Sequence, residues 1–173
     1  FILFVGHRKR YKNFINFINA YSKSKKIKKN YNIICFGNDR FDNAEKNIIK
    51  SLKIEEKIYF ETGDDSKLKQ FYEKSSLFVF PSLYEGFGLP LLEAMKYGCP
   101  VCCSSTSSLL EIGSDAVEYF DPNNIDSIIA SMEKVLFSED YRKSLIKKGY
   151  NNIINFTWER CAINTLNIYK KII

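Results

Sequence analysis

Two glutamates eight residues apart, with a pair of glycines between them, carry the strongest chemical signal in this sequence. They frame the stretch Glu85-Gly86-Phe87-Gly88-Leu89-Pro90-Leu91-Leu92-Glu93-Ala94-Met95. Gly86 and Gly88 bring bare backbone to a surface. A helix is predicted to begin directly afterwards, with Pro90 in its first turn, where a missing N–H costs nothing. Gly98 and Pro100 end it. The unpaired N–H groups at such a helix start, together with the positive end of its dipole, suit an anion. Two carboxylates flanking that start do not suit phosphate alone. They suit a ligand with hydroxyls on both sides of its phosphates, because a carboxylate accepts hydrogen bonds from vicinal hydroxyls. A sugar–diphosphate–ribose has that layout.

Other residue types narrow the chemistry. No Asp-x-Asp pair occurs: Asp64 and Asp65 are adjacent, and Asp39 and Asp42 are three apart. A metal-held diphosphate is therefore not indicated, and no metal site or cofactor is expected. The first loop, Gly6-His7-Arg8-Lys9-Arg10-Tyr11-Lys12, has one glycine and four cations rather than the G-x-G-x-x-G of dinucleotide-binding dehydrogenases. His7, the single histidine, falls at a strand-to-loop edge and reads as a surface residue. Glu111 reads equally as a helix-start carboxylate or a ligand. Cys99-Pro100-Val101-Cys102 spells C-x-x-C, but no second pair and no helix start follow it. Val101-Cys102-Cys103 reads instead as a buried strand. Five cysteines in a Lys- and Asn-rich chain without a signal-peptide pattern point to reduced thiols in a cytosol.

The elements that must position these residues alternate. Strands are predicted over Phe1–Val5, Asn32–Phe36, Ile58–Thr62, Leu77–Phe80, Val101–Ser104 and Val117–Phe120. Helices are predicted over Asn13–Lys25, Ala44–Leu52, Ser66–Lys74 and Leu89–Tyr97. Three more follow with no strand between them, over Ile125–Phe137, Asp140–Ile153 and Thr157–Ile173. Short, nearly all-apolar strands alternating with helices predict an α/β fold: a Rossmann-like, doubly wound parallel sheet of about six strands with helices on both faces. Ligands then fall at the carboxyl ends of the strands.

The bulk composition agrees with one globular domain. The chain has 173 residues, 45% hydrophobic and 27% charged. Lys and Arg number 26 against 20 Asp and Glu, a net charge of +6 that suits an anionic ligand. No apolar run approaches the roughly 20 residues that span a bilayer. The chain opens on Phe1 inside a strand-like run, and so reads as part of something longer. The basic run Lys23–Lys29 is expected at the end of the first helix, as a solvated end near the negative pole. A peripheral contact with an anionic membrane is the alternative reading of that run.

The ordered set of motifs resembles glycosyltransferase family 4, of the GT-B fold. Glu85 through Met95 is similar to that family's E-x7-E motif. The likeness continues through Val5-Gly6 and Tyr11-Lys12-Asn13, Leu77–Ser82, Gly98–Val101, Ser104–Ser108, Glu111, Gly113–Ala116, Tyr119–Pro122 and Phe156–Glu159. The resemblance implies the C-terminal, donor-binding half of a retaining, metal-independent transferase. That enzyme would move a hexose from a nucleotide diphosphate sugar, GDP-mannose or a UDP-sugar, to a glycan or lipid-linked acceptor held by an N-terminal domain. It implies lipopolysaccharide or capsule biosynthesis at the inner face of the cytoplasmic membrane.

By the same resemblance, Glu93 would bind the ribose hydroxyls. Glu85 would contact the transferred sugar, beside the backbone of Gly86, Phe87, Gly88 and Leu89. Lys12 and an arginine of the Gly6 loop would grip the diphosphate. The family often places that arginine directly after the glycine, where this chain has His7; Arg8 is favoured and Arg10 is nearby. The base would lie against Thr62-Gly63. Two rival readings are a non-catalytic nucleotide-sugar-binding module and a GT-B sugar-nucleotide epimerase. The first conflicts with the intact Glu85, Glu93 and Lys12, and the second lacks further acid–base side chains. Nucleic-acid binding is not indicated, because no basic and stacking-aromatic motif is arranged for it.

Overall fold

The computed structural model of the chain describes residues 1–172. Six short strands form one sheet: β1 (Ile2–Val5), β2 (Ile33–Phe36), β3 (Ile58–Glu61), β4 (Leu77–Phe80), β5 (Val101–Ser104) and β6 (Glu118–Phe120). All neighbours pair in parallel, in the order β3-β2-β1-β4-β5-β6. Each connection is a crossover carrying helix, as a parallel sheet requires.

Period-two alternation within all-apolar strands builds two cores. Ile2 and Phe4 of β1, Leu77 and Val79 of β4 and Cys102 of β5 face one side. There they pack with Phe14, Phe17 and Ile18 of α1 (Phe14–Lys23) and with Ile128 and Met132 of α7 (Ile125–Leu136). Leu3, Phe78, Phe80, Val101 and Cys103 face the other side. Their partners are Tyr72 of α4 (Asp65–Lys74), Leu91 and Ala94 of α5 (Leu89–Lys96), and Leu109 and Ile112 of α6 (Leu109–Gly113). With both faces covered, neither can be polar, which is why the strands lack a hydrophilic alternation.

Side-chain caps start most of the remaining helices. Asp42 and Glu45 form a reciprocal capping box on α3 (Asn43–Ser51), and Asp64 caps α4. Asn124 caps α7, and Ser138 caps α8 (Glu139–Ile153). The basic run departs from its expected place. Ser24 ends α1 in extended geometry, its hydroxyl accepts from the Ile27 N–H, and a separate helix α2 (Lys25–Asn30) begins. Ile27, fully buried, pins that helix to the first core. The last helix, α9 (Trp158–Ile172), buries none of its residues. Ile173, expected at its end, lies outside the described residues.

Candidate functional site

The strand order reverses direction between β1 and β4, so the loops that leave these two strands splay apart and leave a crevice at their carboxyl ends. One wall is the loop from Gly6 to Asn13, and the other runs from Pro81 to Gly88. Gly6 sits at φ +104°, a conformation that a residue with a Cβ rarely adopts. A 3-10 turn over Arg10–Lys12 then leads through Asn13, at φ +54°, into α1. The Leu83 N–H donates to the Tyr11 carbonyl at 2.7 Å and stitches the two walls together.

Across that crevice the two residues singled out from distant segments meet. Lys12 Nζ donates to Glu85 Oε1 at 2.7 Å, and both side chains are only 14% exposed. The ammonium also lies 4.9 Å from the Phe80 ring centre and 5.4 Å from that of Tyr11. These aromatic faces stabilise a cation while keeping water from it.

The glycine loop is braced from the segment after β5. The Glu85 N–H donates to Ser107 Oγ at 3.0 Å. Ser108 Oγ donates to the carbonyls of Glu85 and Phe87 at 2.8 and 2.9 Å. Thr106 reaches the Ser82 carbonyl at 3.3 Å. The Thr106 and Ser108 hydroxyls take up carbonyls, and the backbone N–H groups from Gly86 to Leu89 have no acceptor among the described residues. Gly88 enters α5 at φ +111°, and a Cβ there would stand 3.0 Å from Leu109 Cδ2. No side chain caps α5, and Pro90 occupies its first turn. The start of α5 is therefore open to an anion, as its sequence requires. One turn further on, half-buried Glu93 accepts from the Tyr72 hydroxyl at 3.1 Å.

Arg8 differs from its expected presentation. It is 6% exposed, and its Nε and a terminal nitrogen donate to the two Glu45 oxygens at 2.9 and 3.2 Å. It also donates to the Arg40 carbonyl at 2.9 Å, and the guanidinium lies 4.8 Å from the Phe41 ring centre. The fork is committed to α3, because a buried guanidinium needs a carboxylate and Glu45 supplies one in bidentate geometry. Arg10 is exposed and has no ion-pair partner among the described residues. His7 is exposed and lies 3.1 Å from Asp39. Thr62 and Gly63 are exposed after β3, where Lys67 Nζ donates to the Thr62 carbonyl at 2.8 Å. Glu111 is exposed, in the first turn of α6, and has no side-chain hydrogen bond or ion pair among the described residues.

Cys35, Cys99, Cys102 and Cys103 are buried, and Cys161 is exposed. Burial pushes the Cys99 thiol up to about 12 and raises that of Cys102. The C-x-x-C pair is thus core, held as neutral thiols. No group of three or more His, Cys, Asp or Glu side chains gathers with ligand geometry among the described residues.

Tyr72, Ser107, Ser108 and Glu45 also border the site, beyond the residues that the sequence singles out. Glu45 had a legible signal, an acid three residues after a capping Asp. Ser107 and Ser108 fall within the Ser104–Ser108 stretch of the resemblance, which assigns them no role, and Tyr72 has no signal, since only tertiary packing brings it to Glu93.

Two hollows lie outside the crevice. Lys25, Lys28, Lys29, Lys53 and Lys57 line one, with Glu55 and Glu56, at the amino ends of β2 and β3. The other, about 540 Å³ and mostly apolar, lies between Phe87, Leu89 and Leu92 and the beginning of α9. Among the described residues, no helix is long and apolar enough to cross a membrane.

Residues 1–152 match the family model described as glycosyl transferases group 1. The O-antigen chain mannosyltransferase B of Escherichia coli is 42% identical over 106 residues, 61% of this chain and 28% of that protein. An uncharacterized glycosyltransferase of Methanocaldococcus jannaschii is 30% identical over 98% of this chain and 44% of its own length. The chain thus spans less than half of these relatives. Among solved structures, the C-terminal domain of a group 1 glycosyl transferase family protein from Francisella tularensis superposes with a TM-score of 0.76 at 22% identity. That match covers 90% of this chain and 85% of that domain, and it identifies a shared Rossmann-like fold.

Proposed function

The chain belongs to the group 1 glycosyl transferases, and from that premise we propose that it is the donor-binding domain of a retaining hexosyltransferase. The donor is a nucleoside diphosphate sugar, GDP-mannose or a UDP-sugar, and the acceptor is a glycan or lipid-linked glycan of the cell envelope. The observation that carries this reading is the Lys12–Glu85 pair, 2.7 Å across the crevice and beside the uncapped start of α5. It is a cation held ready at an anion site, with a hydroxyl-binding carboxylate attached.

On this reading the diphosphate lies between Lys12 and the N–H groups of Gly86 to Leu89. Glu85 turns to the sugar as Lys12 turns to phosphate, and Glu93 takes the ribose hydroxyls. Gly6 lets the first loop approach closely, and the base rests against Thr62-Gly63. Arg8 holds the loop through Glu45, and Arg10 is the arginine free to reach a phosphate. As the sugar–phosphate bond lengthens, negative charge builds on the leaving diphosphate. Fixed donors already aimed there stabilise it without reorganising. Lys12 and the helix start supply this positive field, so the reading needs no metal ion.

An N-terminal domain would bring the acceptor. The exposed apolar side chains of α9, Trp158, Ile163, Leu166 and Tyr169 among them, support a second body there. The lysine-lined hollow supports a peripheral contact with anionic lipid on the cytoplasmic side.

Calorimetry against UDP-, GDP- and ADP-sugars tests the reading. One donor class binds, weakly to this chain alone and more tightly to the complete enzyme. In that enzyme Lys12→Ala lowers turnover about a hundredfold or more, the scale of one lost charge-stabilising donor. Near-normal turnover overturns the role of Lys12, and robust transfer by this chain alone overturns the two-domain reading.

A further inference from the structure

Tyr72 has a place that the reading above does not use. It lies in the last turns of α4 and is 1% exposed. Its ring stands edge-on to Phe78 at 5.5 Å and stacks with Tyr97 at 6.2 Å. A phenol buried this deeply needs a partner for its hydroxyl. It finds one in the Glu93 carboxylate, at 3.1 Å from Oε2. Burial, reinforced by the Glu93 charge, pushes the Tyr72 hydroxyl well above its ordinary range, so it stays a donor at neutral pH.

The consequence falls on Glu93. A glutamate on a half-buried helix face has three side-chain torsions to lose when it grips a ligand. With Oε2 already held by a rigid, fully packed tyrosine, most of that freedom is lost before any ligand arrives. Oε1 has no partner among the described residues. Groups that lock the rotamer of a binding residue add affinity by lowering the ordering cost, not by making a new contact.

We propose that Tyr72 is the positioning residue of the ribose subsite: its hydroxyl fixes the Glu93 carboxylate, and this sets how strongly the protein prefers ribonucleotides over deoxyribonucleotides. The inference rests on the reading of Glu93 as the ribose ligand, and its test separates the two. Tyr72→Phe keeps the ring and its packing and removes only the hydroxyl.

The chain is titrated calorimetrically with UDP, GDP and ADP. The tightest of these is then compared with its 2′,3′-dideoxy counterpart. The wild type prefers the ribose form by about tenfold or more, the scale of a hydrogen bond to a charged group. Tyr72→Phe reduces that preference by about threefold to tenfold while leaving the dideoxy affinity unchanged. Glu93→Ala abolishes the preference, and adding Tyr72→Phe to it changes nothing further. Equal losses for the ribose and dideoxy ligands in Tyr72→Phe overturn the positioning role while leaving Glu93 as the ribose ligand. No preference in the wild type overturns the reading of Glu93 itself. Should Tyr72→Phe fail to fold, the wild type labelled at the tyrosine ring carbon bearing the hydroxyl gives the answer. The Tyr72 resonance shifts with the ribose ligand and not with the dideoxy one, and a resonance that moves equally with both overturns the proposal.

Discussion

Removing Glu85 and removing Lys12 should push nucleotide affinity in opposite directions. Their gross attraction at 2.7 Å is about 6 kcal/mol at an effective dielectric of 20. Desolvating two side chains that are each 14% exposed offsets most of it, leaving a net of about 1–2 kcal/mol. A bare nucleoside diphosphate must draw Lys12 away from that partner. Glu85→Gln removes the competition, so affinity for the bare diphosphate rises about fivefold to thirtyfold. The same variant gains nothing toward the nucleotide sugar, because there Glu85 repays its release by binding sugar hydroxyls. Lys12→Met weakens both ligands by about tenfold to a hundredfold, the loss of one charge-assisted contact. Calorimetry with diphosphate and sugar nucleotide side by side reads all four numbers, at low salt so that the charge terms are not screened. Urea unfolding of the two single variants and the double variant supplies the coupling energy of the pair independently. If Glu85→Gln and Lys12→Met weaken the bare diphosphate alike, Glu85 supports Lys12 rather than competing for it, and the exchange mechanism is refuted.

Four further outcomes follow from the same geometry. Arg8→Met leaves Glu45 buried and uncompensated and should cost about 3–5 kcal/mol in urea unfolding; Arg8→Lys should recover little, because an ammonium cannot meet both oxygens. Gly88→Ala, at φ +111° and against Leu109, should cost about 1–3 kcal/mol, whereas Gly86→Ala meets open space and should stay within about 0.5 kcal/mol. A thiol reagent should modify Cys161 quickly in the native protein and reach the other four cysteines only in denaturant, a count that mass spectrometry reads directly. Vesicles containing anionic lipid should sediment the chain at low salt, and replacing Lys28, Lys29 and Lys53 with Gln should release it; equal sedimentation of both forms removes the membrane reading.

Much of this architecture was legible because its signals are local. Short apolar runs bounded by Gly, Pro and Asn marked all six strands, and helix spacing such as Phe14, Phe17, Ile18 and Tyr21 marked the helices between them. Errors fell where tertiary contact outranks pattern. The helix-start reading of Glu111 agrees with its place in the first turn of α6, but the pattern does not delimit that five-residue helix, since Leu109 and Ile112 make too short a period to stand out, yet both pack into the second core. Ser24 looked like a helix interior and is a cap, because buried Ile27 rewards a break there. Arg8 shows the limit best. The family resemblance favours it as a phosphate ligand two residues after Gly6, and nothing nearby in sequence announces a carboxylate 37 positions away that claims the guanidinium.

On the proposed two-domain reading, the charges of the crevice decide how much of the donor's affinity this chain supplies by itself. Of the residues singled out at the crevice, Lys12 and Arg10 are cationic and Glu85 and Glu93 anionic, so these four sum to about zero before any ligand arrives. A diphosphate adds negative charge to a neutral place, and only the amides and dipole of an eight-residue helix remain to favour it. Such a helix start contributes on the order of 1 kcal/mol at an exposed site and more where water is excluded. The crevice here is open on the side of Phe87 and Leu89, both about half exposed, so water is not excluded. A covering body would remove that water and strengthen every one of these contacts without changing a residue of this chain. The apolar hollow between Phe87 and the start of α9 lies on that same open side.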